Sequence, residues 1–338
     1  MKKSLLCLLS VVVLALGGAL SASATNLRMA SGAVGTVSYA VASGLAAVYQ
    51  THTKETLEVL TKEISASLPE LYDGRYEFAA QFNNSGHLIY HNYNLRTGEP
   101  TNDKTPSPIR LVMMGNPMPA GFLVLKSSGM TKVTDLKGKR ATTRFSQASP
   151  HFWSNVNMAA AGLEPGKDFT PIQSTNPPST AQLLNDGLTD AAFGGITVPA
   201  FLELDVAKGV RYLSHDPTPE VEARGRASFP GAMMLRLDPG PGVVGIIEPT
   251  YMLANHNVVF SAANIPDDVV YKFVKVIWEN RHDLVPFSAD LAEWPTLPPA
   301  STYAACPFHP GAIRYYKEAG LWSDEMEKWN QQLLDIYK

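Results

Sequence analysis

Arg140-Ala141-Thr142-Thr143-Arg144-Phe145-Ser146-Gln147-Ala148-Ser149-Pro150 carries a strand-length segment into a turn of small and polar residues, and then into a helical pattern over residues 150–161. Ser149 is placed as an N-cap, and Pro150 at the first helical position lacks an N–H that would have no intrahelical partner there. The same order recurs at Gly32-Ala33-Val34-Gly35-Thr36, at Ser174-Thr175-Asn176-Pro177-Pro178-Ser179 and at Gly194-Gly195-Ile196-Thr197-Val198-Pro199. Helical patterns follow over 37–50, 179–185 and 198–207. Strand-length apolar segments alternating with helical ones predict an α/β architecture with largely parallel sheets.

In such sheets the carboxyl ends of strands aim the following helix N-termini at a common crevice, where unpaired N–H groups and helix dipoles favour an anion. This predicts a small acid as ligand. Arg144 offers a bidentate fork for a carboxylate. Thr36, Ser146, Gln147, Asn176 and Ser179 are expected to donate hydrogen bonds, Tyr39, Asn83 and Asn84 are further candidates, and Gly194, Gly195 and Thr197 would complete a backbone nest with Gly35 in the first turn. Phe145, Phe152 and Trp153 read either as core or as an aromatic wall for a larger acid.

Gly115-Asn116-Pro117-Met118-Pro119 interrupts two apolar strands, 109–114 and 122–126, and Asp238-Pro239-Gly240-Pro241-Gly242 follows another, 232–237. Two crossings there would insert residues 118–237 as a second lobe between 25–117 and 238–338, and two crossings make a hinge. The length of 338 residues agrees with about two lobes at roughly 150 residues each.

Residues 1–24 are set apart. Lys2 and Lys3 precede an apolar run over 5–20 and then Ser21-Ala22-Ser23-Ala24, the pattern of a secretory leader with an A-x-A cleavage site. Loss of those two lysines with the leader takes the formal net charge from −3 to −5. No global basic field exists, which argues against nucleic acid or an anionic membrane surface as partner. The remaining chain holds one cysteine, Cys306, so no internal disulfide supports it.

Several catalytic and cofactor patterns fail on inspection. Gly240-Pro241-Gly242-Val243-Val244-Gly245 matches a dinucleotide string, but prolines flank the turn and Pro249 blocks the helix it should open. His87 and His91 have metal-helix spacing without a third ligand, and read as two half-exposed polar histidines. Cys306 near His309 reads as a small buried thiol rather than a nucleophile. No Gly-x-Ser-x-Gly elbow, zinc-protease helix or phosphate-loop lysine is present. No catalytic residue, metal or cofactor is expected.

Phe308-His309-Pro310-Gly311-Ala312-Ile313-Arg314-Tyr315-Tyr316-Lys317-Glu318-Ala319-Gly320 closely resembles the C-terminal signature of the TAXI family, substrate-binding components of TRAP transporters. Asp135-Leu136-Lys137-Gly138-Lys139-Arg140, the run from Leu184 to Phe193, and Pro266-Asp267-Asp268-Val269-Val270-Tyr271-Lys272 are similar to further family stretches, so the likeness spans most of residues 27 to 320. It implies a two-lobed type II periplasmic binding protein that closes on a small organic acid and delivers it to a TRAP-type membrane permease. The family's first cleft loop, Gly-Gly-Thr-Tyr-Tyr-Pro, is matched in part by Gly35-Thr36-Val37-Ser38-Tyr39-Ala40, whereas Ser146-Gln147-Ala148-Ser149 replaces a glycine- and serine-rich second loop. The histidine-led run itself reads as a Pro-Gly turn opening a helix that packs on a lobe. An exported hydrolase on a similar frame, or a ligand-sensing partner of a membrane signalling protein, are the competing readings.

Overall fold

The computed structural model describes residues 26–62, 64–94, 101, 105, 107–145, 147–240 and 243–336, without the side chains of residues 64–66, 144 and 289. The expected leader, residues 1–24, lies outside that set. The chain opens with β1 (Asn26–Ser31), α1 (Val37–His52), β2 (Thr56–Thr61), α2 (Ile64–Tyr72), β3 (Phe78–Phe82) and α3 (Asn83–Tyr90), and then enters the long strand β4 (Ile109–Leu125). Next come β5 (Arg140–Phe145), α4 (Ala148–Ala160), β6 (Thr170–Ser174), α5 (Pro177–Asn185), β7 (Ala192–Gly195), α6 (Pro199–Lys208), β8 (Val210–Tyr212), α7 (Pro219–Ser228) and β9 (Met233–Leu237). A second long strand, β10 (Thr250–Ala262), leads to α8 (Asp267–Glu279), α9 (Pro310–Glu318) and α10 (Asp324–Asp335).

The α/β class expected from the sequence is the class observed, but the sheets are mixed rather than largely parallel. β1 pairs β2 and β3 in parallel, while β10 runs antiparallel to both β3 and β4. The reason is that β4 and β10 carry the chain out and back side by side. β4 pairs β10 through Ile109 to Pro119 and then turns its pairing to β7 and β8 from Ala120 onward.

Residues 115–119 are therefore not a break between two strands. They lie inside β4, with a register shift opposite Asn257, and alongside them β10 is the strand paired. Proline is tolerated in a sheet at such an edge or bulge, where no ladder N–H is required. Gly115 is required by close approach, since a Cβ there would stand 2.1 Å from the Trp294 ring. Past the expected crossing near 238, Val244, Ile246 and Met252 share a core with Leu123, Phe201 and Tyr212.

Three apolar cores support these elements. The first gathers Tyr49, Phe78, Phe260, Phe273 and Tyr316 beneath α1, α8 and α9, with the Phe78 and Phe273 rings stacked at 4.3 Å. The helix α1 buries Val41, Leu45, Val48 and Tyr49 at helical spacing. The second core joins Phe122, Trp153 and Phe229 to Leu88 of α3, and the third is the cluster around Phe201.

α3, which the sequence pattern does not announce, presses against α4. As a result His87 is not half-exposed: it is 7% exposed, stacked on Phe152 at 5.4 Å and edge-on to Phe229, and burial, with His91 beside it, holds its imidazole well below the ordinary pKa. His91 is only part-buried. The run 308–320 forms α9, with the buried His309 accepting the Gly311 amide at 3.1 Å.

Candidate functional site

Ala141 bridges Ala191 in parallel just before β7, and β5 pairs β6 in parallel, so the carboxyl ends of all three strands face one way. The N-termini of α4, α5 and α6 follow from them. Where they meet the crossing of β4 and β10 there is a cavity of about 370 Å³.

Its walls are contributed element by element. Phe145, Gln147, Ser149, Pro150 and Trp153 come from the β5–α4 turn, Thr175, Asn176, Pro177 and Thr180 from the β6–α5 turn, and Phe193, Gly194, Gly195, Val198 and Phe201 from the β7–α6 turn. Met118, Pro119, Ala120 and Asn255 come from the long strands, and Phe82 and Asn84 from the end of β3 and the start of α3. Among the described side chains lining it, none is charged.

Hydrogen bonds join α3 to α4 at the rim. The Asn84 side chain donates to the Ser149 carbonyl at 3.1 Å, and the Ser85 hydroxyl to that of Ser149 at 3.3 Å. Asn84 also exchanges bonds with Asn255, receiving its carboxamide N–H at 2.7 Å and donating its own backbone N–H at 3.3 Å. Next along β10, His256 stacks on Tyr303, and burial pushes its imidazole down to about 4.

The helix N-termini are not equivalent. Among the described residues no side chain caps α4 or α6. Pro150 and Pro199 carry no N–H and the Phe201 amide donates to the Val198 carbonyl at 3.0 Å, so the first-turn amides that keep capacity for an external acceptor are those of Ala148, Ser149 and Ala200. α5 is closed by a capping box in which Asn176 accepts the Ser179 amide at 2.8 Å and the Ser179 hydroxyl accepts the Asn176 amide at 3.2 Å. The indole N–H of Trp153, a residue 5% exposed, finds no acceptor among the described residues.

Of the residues singled out from the sequence, Gln147, Asn176, Gly194 and Gly195 line the cavity, as do Asn84, Phe145 and Trp153. Six others do not. Gly35 and Thr36 are exposed in the turn before α1, where Thr36 caps Tyr39 at 3.3 Å, and Tyr39 is half-buried on that helix. Asn83 is buried and already paired, donating to the Tyr303 carbonyl at 2.7 Å and accepting the Ala305 amide at 3.2 Å. Ser179 is engaged in the α5 cap, and Thr197 faces solvent. Phe152 is core, packed on His87 and Phe229. Ser146 and the Arg144 side chain lie outside the described residues.

The sequence reading missed the contribution of β10, because Asn255, His256 and Asn257 interrupt its apolar run. That polar triplet between Met252 and Phe260 was itself the available signal. Cys306 is fully buried, and burial pushes its thiol up to about 12, which does not suit a nucleophile. No helix among the described residues is long and apolar enough to cross a membrane.

Two long strands passing between α/β lobes, with a cavity at the crossing, define the fold of periplasmic solute-binding proteins. The chain is similar to the periplasmic sulfonate-binding protein SsuA from Methylobacillus flagellatus KT, at 13% identity and a TM-score of 0.52 over 92% of this chain and 78% of that one. It is similar also to a TctC solute binding protein from Polaromonas, at 12% identity and a TM-score of 0.50 over 91% and 96% of the two chains. Residues 29–320 match the NMT1-like family, and the chain belongs to that family.

Proposed function

We propose that this protein is an extracytoplasmic solute receptor that holds a small organic acid, a carboxylate, in the cavity at the lobe crossing and presents it to a membrane permease. The observation that carries the reading is the convergence of two uncapped helix N-termini, α4 and α6, on one largely apolar cavity of about 370 Å³ that the first lobe closes through Asn84. Oriented amides at such termini favour an anion, and apolar walls strengthen that attraction by excluding water.

In this reading residues 1–24 direct export to the periplasm and are removed. Arg144, one residue before Phe145 of the cavity wall, pairs with the carboxylate, while Gln147, Ser146 and the glycines Gly194 and Gly195 add donors. Asn176 shapes the wall. The hinge is the crossing of β4 and β10, from about residues 114–120 to 254–258, and 118–253 move against the rest. A ligand touching both lobes stabilises only the closed form, so binding shifts the population toward closure, with the Asn84–Ser149 and Ser85–Ser149 bonds as its latch. The permease then reads the closed surface. Resemblance of the run 308–320 to the TAXI signature supports a TRAP-type permease, and a TRAP permease gene beside this one is the expected neighbour. No covalent step, metal or cofactor enters.

Mass spectrometry of small molecules released from the purified protein, followed by a thermal-shift screen of organic acids, tests the reading. An acid that co-purifies and raises the melting temperature without being consumed is expected. Turnover of esters or amides, or stabilisation by no acid at all, would overturn it.

A further inference from the structure

We infer that the acid is a singly charged one with an apolar body the size of an aryl group, and not a dicarboxylate or an amino acid. The inference rests on the cavity being the ligand site. Its first support is the wall chemistry: Phe145 and Phe193 stand edge-on at 6.2 Å, Phe201, Phe82 and Trp153 continue the aromatic lining, and none of the described lining side chains carries a charge. A second carboxylate or an ammonium would be taken from water into that wall without a described counter-charge, a desolvation cost that an apolar body does not incur. An aryl ring instead gains contact area and edge-to-face partners.

Size is the second support. A volume of about 370 Å³ falls at the lower end of the ~300–1,000 Å³ of small-molecule pockets, which suits a small aryl acid. A third, independent observation is the Trp153 indole N–H, buried without an acceptor in a residue that lines this cavity. Buried donors of this kind are nearly always partnered, and a ligand oxygen would satisfy it. The acid's head then meets the amides of α4 and α6, and its body lies against the rings. Carboxylate and sulfonate heads share this chemistry, and the test separates them.

Calorimetric titration of the purified protein with 3-phenylpropanoate, benzenesulfonate, succinate and glutamate decides the matter. At least one aryl monoanion is expected to bind tenfold or more tightly than succinate or glutamate, with the better of the two naming the head group. Trp153→Phe removes the N–H and leaves a smaller aromatic ring in the core, so a lower melting temperature is expected, with the aryl acid weakened about threefold to tenfold. Tighter binding of succinate or glutamate would overturn the inference and leave the receptor reading standing. Binding of none of the four, with no acid co-purifying, would overturn both. Unchanged affinity in Trp153→Phe would remove the indole from the ligand's partners, and the wild-type series decides the ligand class without that variant.

Discussion

The turn over residues 32–36 before α1 and the turn over 145–148 before α4 are built from the same kinds of residue, and both follow a parallel strand. Only the second borders the cavity. In the first, Gly32 donates to the Ser38 hydroxyl at 3.0 Å, Thr36 donates to the Ala33 carbonyl at 3.1 Å, and the Thr36 hydroxyl caps Tyr39, so the turn meets its own hydrogen-bonding needs. In the second, Gln147 sits at the N-cap position without a cap bond. A strand–turn–helix motif thus identifies an anion-ready helix only when its amides are left open. Side-chain caps, which stabilise a helix by about 0.5–2 kcal/mol, remove that readiness.

Several substitutions and conditions would break or sharpen this contrast. Acid has the largest expected effect, and it falls on the second lobe and the hinge. His215 and His256 are 4% and 7% exposed, and burial pushes each imidazole from 6.5 down to about 4. Their neutral forms are favoured in the folded state, so their stabilising contribution is complete above pH 6.5. It is lost as pH falls toward 4, by up to ~3 kcal/mol for each. Urea unfolding at pH 7, 5.5 and 4 should give a falling midpoint, and His256→Gln should flatten part of the fall.

Arg144→Ala comes next, with an expected loss of about 1.5–3 kcal/mol in acid affinity, as a charged hydrogen bond is removed. Titration calorimetry giving equal affinities would take Arg144 out of the site. Asn84→Ala leaves Asn255 without its partner and removes the bond to Ser149, so a stability loss of about 1–3 kcal/mol is expected in chemical denaturation, accompanied by weaker ligand binding. The smallest effects form a matched pair. Thr36→Ala should lower stability by about 0.5–2 kcal/mol and leave affinity unchanged, whereas Gln147→Ala should weaken affinity with no change in stability. The reverse pattern would place the ligand in the first lobe's turn.

Much of the fold was legible because periodicity survives where one face of an element is buried. α1, α4, α5 and α6 stand within two residues of the expected spans, as does β9. What escaped was governed by long-range pairing. Pro117 and Pro119 read as a break, yet β10 holds residues 115–119 in strand form because the other edge there needs no donor. β10 itself was hidden by Asn255, His256 and Asn257, polar residues that only the hinge crossing explains. α3 was hidden because Asn83, Asn84, Ser85 and Gly86 read as loop, although bonds from Asn83 to Tyr303 and from Asn84 and Ser85 to Ser149, with His87 stacked on Phe152 in the next turn, hold the segment in a helix.

The candidate site was legible as far as its turns and no further. Gln147, Gly194 and Gly195 stand in the cavity wall, but nothing local in the sequence distinguishes an open helix N-terminus from one closed by a neighbour's side chain. Ser179 and Thr36 looked like donors to a ligand because serine and threonine serve both purposes.

A crystal structure of the protein with its co-purified acid would reach furthest. The account predicts that the acidic head meets the amides of Ala148 in α4 and Ala200 in α6, with one oxygen within hydrogen-bonding distance of Trp153 Nε1 and the apolar body against Phe145 and Phe193. An acid seated instead on the turn at residues 32–36, with the cavity beside Trp153 vacant, would contradict it.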